Sequence, residues 1–287
     1  MSNGSIVDMD NVKKLYADGQ NITTHHDGSG VIATAVNMEL AQLLAECFNA
    51  SIAVKSAEET SEDSTSCLSF PVNDHGGWIV PEGAEIPANT EIPDFSVLGA
   101  GCELYDECVL GDGCKLGPNC ELGNDCVLGN VCVLGKCCRL GNRCKLGDYC
   151  KLGDCCVLGN DCGLDNGCKL GNGCVLGNDC GLDNGCKLGD GCVLGDNCNM
   201  GEWCDLGLGC TLGCNCELDD YFRLGHHGTM DESCVLGDSC IIGNHCELGA
   251  HCTLGTNYRI GHDCRLGSPC HMGPQGVVGG RLRIIQY

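Results

Sequence analysis

The sequence predicts an all-β fold in which short strands coil around a common axis, with three strands to each eighteen-residue coil. Residues 160–177 and 178–195 are identical except at one position, where Asn172 corresponds to Asp190. Within this unit the motif C-x-L recurs every six residues and is followed by Gly or, once in each unit, by Asp. The same period runs from Val80 to Val278, which is 34 repeats without an insertion. A fixed period of this kind indicates a repeat architecture.

Each six-residue repeat predicts one short strand and one corner. In C-x-L the residue types alternate, so that Cys and Leu face inward and the residue between them faces outward. The Gly, Asn and Asp residues that follow are turn formers that tolerate positive φ. We extend this interpretation to the four positions where Asp replaces the Gly after Leu, which are Asp165, Asp183, Asp219 and Asp231. Calcium binding by these residues is the less favoured alternative.

Cysteine holds the inward position before the strand at 26 of the 29 repeats from Cys102 to Cys270, the exceptions being Phe222, Gly228 and Tyr258. Only 4% of the chain is aromatic, whereas 45 of its 287 residues are Gly and 31 are Cys. This composition excludes an ordinary globular core packed with aromatic rings. We therefore expect a core built from Leu and Cys.

In this pattern an aliphatic residue is followed by Gly, Asn or Asp. A small residue, here Cys, occupies the fifth position when the aliphatic residue is counted as the first. In these features the chain resembles the hexapeptide-repeat proteins, which form left-handed parallel β-helices. The resemblance covers about 200 of the 287 residues. It implies a triangular left-handed helix of about 11 coils, whereas the general preference of parallel crossovers is right-handed. At roughly 4.8 Å per coil, the helix would be on the order of 50 Å long.

The β-helix is expected to be one of four segments. Residues 1–55 form a small N-terminal attachment or oligomerisation module, 56–77 an acidic linker, 78–280 the Cys-rich β-helix and 281–287 a capping strand. The module is expected to contain one helix at about 34–48, because its apolar residues fall on one helical face. These apolar residues are Val36, Leu40, Leu43, Leu44, Cys47 and Phe48.

Stacking of the coils predicts three internal columns of cysteine, one of them unbroken. Its members are Cys108, Cys126, Cys144, Cys162, Cys180, Cys198, Cys216, Cys234, Cys252 and Cys270. Core packing is the favoured role, because free cysteine behaves as a small buried hydrophobe. Disulfides between adjacent coils and metal binding stay open as alternatives. Parallel Cβ vectors do not favour the first, and zinc needs four converging ligands.

Three further cysteines, Cys137, Cys155 and Cys214, break the register. Cys137 and Cys155 are one coil apart at an outer corner, where a surface disulfide and two free thiols are both compatible with the sequence. His227 and His245 continue the same edge. They are weak candidates for a metal or catalytic site, since corner histidines are more often solvated.

Most hexapeptide-repeat proteins are trimeric acyl- or nucleotidyltransferases that have a catalytic His and a loop interrupting the helix. This chain shows no such loop, so a structural role is favoured. We expect a spike, fibre or decoration subunit, such as that of a phage virion, with no cofactor. An acyltransferase that uses a corner His and a thiol-rich redox or metal-binding rod are the alternatives.

Exposed apolar positions predict contacts between subunits, and the resemblance implies a homotrimer. These positions are Val157, Val175, Val193, Tyr149, Trp203 and Tyr221. The net charge of −23 disfavours nucleic acid and anionic membranes as partners. The N-terminus shows no apolar stretch typical of a signal peptide. We therefore expect synthesis in the cytoplasm, with a virion surface as one destination.

Overall fold

A computed structural model of the protein describes residues 69–286 and three short strands nearer the N-terminus. The chain divides into two compact units, Met1–Val72 and Asn73–Tyr287. In the first unit, β1 (Tyr16–Asp18), β2 (Asn21–Thr23) and β3 (Val31–Thr34) form an antiparallel sheet with β2 in the middle. Apart from Thr34, the helix expected at 34–48 lies outside the described residues, as does most of the linker expected at 56–77.

The second unit is a parallel β-solenoid, which confirms the predicted all-β triangular coil. Its 35 strands form three parallel sheets, and each strand pairs with the third strand after it in an unchanged register. Two sheets contain 12 strands and the third contains 11, so the solenoid has about 12 turns rather than the 11 expected. The 34 hexapeptides already make more than eleven turns, and β38 adds one further strand to the second sheet.

The strand bounds follow the six-residue period. Sheet I contains β4 (Ile79–Val80), β7 (Val97–Leu98), β10 (Lys115–Leu116), β13 (Val133–Leu134), β16 (Lys151–Leu152), β19 (Lys169–Leu170), β22 (Lys187–Leu188), β25 (Asp205–Leu206), β28 (Arg223–Leu224), β31 (Ile241–Ile242), β34 (Arg259–Ile260) and β37 (Val277–Val278). Sheet II contains β5 (Glu85–Ile86), β8 (Glu103–Leu104), β11 (Glu121–Leu122), β14 (Arg139–Leu140), β17 (Val157–Leu158), β20 (Val175–Leu176), β23 (Val193–Leu194), β26 (Thr211–Leu212), β29 (Thr229–Met230), β32 (Glu247–Leu248), β35 (Cys264–Ser268) and β38 (Leu282–Gln286). Sheet III contains β6 (Glu91–Ile92), β9 (Val109–Leu110), β12 (Val127–Leu128), β15 (Lys145–Leu146), β18 (Gly163–Leu164), β21 (Gly181–Leu182), β24 (Asn199–Met200), β27 (Glu217–Leu218), β30 (Val235–Leu236), β33 (Thr253–Leu254) and β36 (His271–Met272).

We number each hexapeptide from the outward strand residue. Position one is this outward residue, position two is the inward Leu, position three is usually Gly, positions four and five form the corner, and position six is usually Cys. Positions two and six fill the interior: Leu176 and Cys174, for example, are 1% and 0% exposed. Gly228, one of the exceptions at position six, leaves its inward space to Leu224, whose side-chain carbons lie 2.6 Å from the place of a Cβ.

Glycine predominates at position three because the coils lie close together there, which corrects the interpretation from the sequence. Gly177 does not have positive φ. A Cβ at Gly177 would instead lie 2.7 Å from the carbonyl carbon of Gly159 in the coil below. Asp165, Asp183, Asp219 and Asp231 also occupy position three and do not have positive φ, so tolerance of left-handed geometry does not explain them.

The left-handed residue is position five, and it is rarely glycine. In the described part of the chain, most residues with positive φ carry a side chain. Val131 is one of them, with φ of 60°. A β-branched residue in this region is strained, at a cost on the order of 1–3 kcal/mol.

Position four carries ladders of Asn and Asp that join successive coils. The backbone N–H of Asn178 donates to Oδ1 of Asn160 at 2.8 Å, and Oδ1 of Asn178 accepts from the N–H of Asp196 at 2.9 Å. The same bond recurs at all three corners, for example from Asn172 to Asp154 and from Asn130 to Asp112. These side chains satisfy corner N–H groups that the strand ladders leave free.

Candidate functional site

The cysteines form three buried columns of thiols, and each thiol has the same hydrogen-bond partner. Every cysteine at position six donates to the carbonyl oxygen of position three in the coil below. The distance is 3.2 Å from Cys102 to Pro81 and 3.5 Å from Cys216 to Gly195. The sulfur therefore supplies a donor as well as volume, in a contact of the weak S–H···O type.

Every described cysteine is a free thiol. Burial raises the pKa of Cys240 and of Cys246 to about 11, so both thiols are protonated near neutral pH. A protonated, buried thiol is neither a nucleophile nor a metal ligand. All ten members of the column that begins at Cys108 are free, and nine are buried, while Cys270 near the end is partly exposed.

Cys137 and Cys155 lie on an outer corner in adjacent coils, and both are exposed. Their backbones are left-handed, with φ of 59° and 60°. Beside them, Lys136 and Asp154 form an ion pair of 2.8 Å. The structure thus places the two thiols on one edge of the solenoid, without a bond between them. Cys214, the third cysteine out of register, is partly buried.

His227 and His245 lie farther along the same edge and stack on each other. Their ring centroids are 5.0 Å apart, and the rings are 7° from parallel. The neighbouring His226 accepts a hydrogen bond at Nδ1 from the N–H of Asn244, which makes it part of a corner ladder. Within residues 69–286, no group of three or more His, Cys, Asp or Glu residues is placed to hold a metal ion.

The aromatic edge consists of Tyr149, Trp203 and Tyr221, which share a corner column. Trp203 and Tyr221 stack with centroids 4.0 Å apart and rings 5° from parallel. The ring of Tyr149 covers Gly167 in the next coil, where a Cβ would lie 2.7 Å from it. Tyr149 and Trp203 are 62% and 56% exposed although both have the strained left-handed backbone. Strained, exposed aromatic residues are compatible with a contact surface.

Val157, Val175 and Val193 occupy position one of three adjacent strands in sheet II. Each is about 40% exposed, and they pair in register with one another. Thr211 and Thr229 continue the row. The five residues form a flat stripe with no long side chain, and charged residues follow at both ends.

Sheet III has a shallow hollow of about 280 Å³ that the sequence did not lead us to expect. It lies beside Gly181, which has open space where a Cβ would be, and Asp183 and Asp219 are among the residues that line it. Burial, together with Asp183 and Asp148, raises the pKa of Asp165 on the same edge. Two adjacent outward glycines, Gly163 and Gly181, were the signal for this hollow in the sequence.

In the described part of the chain, no helix is long and apolar enough to cross a membrane. Comparisons of the chain with protein-family models, with curated proteins and with solved structures found no significant match.

Proposed function

We propose that the chain is a structural subunit whose solenoid holds its outer surfaces at fixed spacing. The observation that carries the proposal is the continuous register of the 35 strands, in which no loop enters between Ile79 and Gln286. Each coil repeats the same hydrogen bonds with the coil below, so the solenoid resists bending and presents outward residues in straight rows. Such a body suits a spike, a fibre or a surface-decoration subunit.

The resemblance to hexapeptide-repeat proteins supports a left-handed winding of the solenoid, which we include in the proposal. The division of the chain into two compact units supports a role for residues 1–55 in attachment to a larger particle, such as a phage virion. Self-association through the exposed apolar rows would complete the assembly. The resemblance suggests a homotrimer, whereas the order of charges along sheet II favours a two-fold dimer.

The alternative is an acyltransferase that uses a corner His. General acid–base catalysis needs a histidine oriented by a partner and facing a substrate. The rings of His227 and His245 stack on each other, and this pair lies on an outer corner. This arrangement favours the structural role.

The test is an acyl-transfer assay on the purified full-length chain, with acetyl-CoA as donor and a panel of small amines and hydroxyl compounds as acceptors. We expect no transfer above the buffer rate. We also expect His227→Ala and His245→Ala to leave the assembly state unchanged. Transfer that His227→Ala abolishes would contradict the structural role and favour the enzyme.

A further inference from the structure

In the outward row of sheet II, charged residues at equal distances on the two sides of Val193 have opposite charges. From β8 to β38 they are Glu103, Glu121, Arg139, Val157, Val175, Val193, Thr211, Thr229, Glu247, Arg265 and Arg283. Three strands from Val193, Arg139 on one side corresponds to Glu247 on the other. Glu121 corresponds to Arg265 at four strands, and Glu103 to Arg283 at five.

The same level of the solenoid is the centre of a surface without protruding side chains. The corner before sheet II carries Gly173, Gly191 and Gly209 at three successive coils, with Gly191 at the level of Val193. A Cβ on Gly191 or Gly209 would have nothing within 4 Å. Because most left-handed residues elsewhere carry side chains, the fold alone does not require three glycines here. Because these three glycines have no side chains, a flat partner can approach sheet II closely at this level.

We propose that sheet II binds sheet II of a second copy of the chain, face to face and antiparallel. The two-fold axis lies between the two faces and runs along β23, so that Val193 meets Val193 of the second copy. Arg139 then lies opposite Glu247, Glu121 opposite Arg265 and Glu103 opposite Arg283, each pair occurring twice. The proposal rests on the structural role proposed above and names the partner of its apolar face.

Charges within one chain support this arrangement. Arg139 pairs with Glu121 at 3.3 Å, and Arg265 pairs with Glu247 at 2.6 Å, with all four side chains at least half exposed. In the antiparallel dimer each of these groups keeps its neighbour along the row and gains an opposite charge across the interface. Complementary charges of this kind fix the register of a complex more than its affinity.

Parallel arrangements do not give this complementarity. A two-fold axis parallel to the solenoid would place Glu121 opposite Glu121 and Arg139 opposite Arg139. In a cyclic trimer, unlike faces meet at equal levels. Contact with sheet I would then set Val157, Val175 and Val193 against the residues of their own coils, which are Lys151, Lys169 and Lys187. Among these arrangements only the antiparallel dimer pairs each valine with valine or threonine and each Glu from Glu103 to Glu247 with an Arg, while Glu85 of β5 lies beyond the matched row.

The face is large enough for a stable dimer. Ten strand spacings separate Glu103 from Arg283, which is about 48 Å at roughly 4.8 Å per spacing. With a face about 15 Å wide, each copy would bury about 700 Å², close to the ~800 Å² per partner of a standard interface.

Sedimentation of the full-length chain with a thiol reductant tests the proposal. We expect the unaltered chain to be a dimer. Arg139→Glu and Glu247→Arg should each weaken the dimer by at least about tenfold in Kd, because each brings like charges together twice. The double variant should return to within about threefold of the unaltered Kd, because the reversed charges again face each other. Lys145→Glu, on sheet III, is the matched control and should leave Kd unchanged.

Three results would overturn the proposal. The first is a monomer at about 100 μM, a concentration at which even a weak specific dimer forms. The others are a trimer, or a double variant whose Kd is no lower than that of the single variants. Matching circular dichroism and melting curves would show that each variant is folded. The acyl-transfer assay separates the two proposals. A monomer without acyltransferase activity would rule out the proposed dimer but not the structural role. A dimer that transfers acyl groups would rule out the structural role but not the dimer.

Discussion

The role of the core thiols can be tested at Cys174, in the column that leads into sheet II. This residue is 0% exposed, and its thiol donates to the carbonyl oxygen of Gly153 at 3.3 Å. Replacement by Ala removes the sulfur and its hydrogen, and leaves both a void and a carbonyl without this donor. Replacement by Ser keeps a donor in a smaller, more polar group.

The expected loss for Cys174→Ala has three sources. The substitution removes a buried group of about methylene size, and the loss of its burial costs about 0.8 kcal/mol. A void of roughly 20 Å³ costs about 0.5 kcal/mol at ~24 cal/mol per Å³. A weakened hydrogen bond to a buried carbonyl costs about 0.5–1 kcal/mol. Together these give about 2 kcal/mol.

Cys174→Ser should cost less, about 1 kcal/mol, because a hydroxyl at position six finds partners. Ser96 occupies this position in an early coil, where it is 0% exposed. Its hydroxyl donates to the carbonyl oxygen of Pro93 at 2.7 Å and accepts from the N–H of Trp78 at 2.8 Å.

Guanidinium unfolding followed by circular dichroism, under reducing conditions, measures the difference. The expected order of stability is unaltered chain, then Ser, then Ala. Cys155→Ala, at an exposed corner, is the control and should change stability by less than about 0.5 kcal/mol. An Ala variant as stable as the unaltered chain would refute the packing and donor roles. A loss well above about 5 kcal/mol would point to a covalent or metal link instead.

Three further predictions follow from the corners, position three and burial. Val131→Asn should stabilise the chain by about 1 kcal/mol in the same assay, because Asn tolerates the left-handed backbone better than a β-branched residue does; a loss would contradict the strain. Gly177→Ala should cost about 2 kcal/mol of stability, because the added Cβ would contact the coil below. Gly181→Ala, where the Cβ has open space, should be neutral or stabilising by up to about 1 kcal/mol. Equal losses of stability in the two variants would contradict the crowding. Alkaline pH should destabilise the chain: Cys240 and Cys246, whose pKa burial raises to about 11, ionise first in the unfolded chain, so stability is complete below about pH 8.5 and falls towards pH 11. A guanidinium unfolding midpoint that is the same at pH 8 and at pH 11 would contradict this.

The coil could be predicted from the sequence because positions two and six alone decide which side chains face inward. Leu and Cys at these positions, repeated without insertion, leave one arrangement that buries both. The length of one coil then follows from the near-identity of residues 160–177 and 178–195. The apolar stripe Val157, Val175 and Val193 could be predicted for the same reason, since outward residues are few and their order is fixed.

Contacts between coils could not be predicted, because they depend on distances that the period does not contain. The sequence shows Gly177 after Leu176, but only the stacked coils show that a Cβ there would touch Gly159. The donation from Cys174 to Gly153 also joins two coils and requires their actual stagger. The aromatic pair Trp203 and Tyr221 was visible as a column, while its parallel stacking was not.

Site-resolved thiol labelling tests the central claim, that the thiols fill the core and are neither linked nor ligated. In the native chain without reductant, a short pulse of alkylating reagent should modify Cys137 and Cys155, while the buried thiols of the solenoid stay unmodified. In denaturant, still without reductant, all 31 cysteines should react. A shortfall at the buried cysteines that reductant restores would reveal disulfides between coils, and one that a chelator restores would reveal bound metal. Either result would contradict the account.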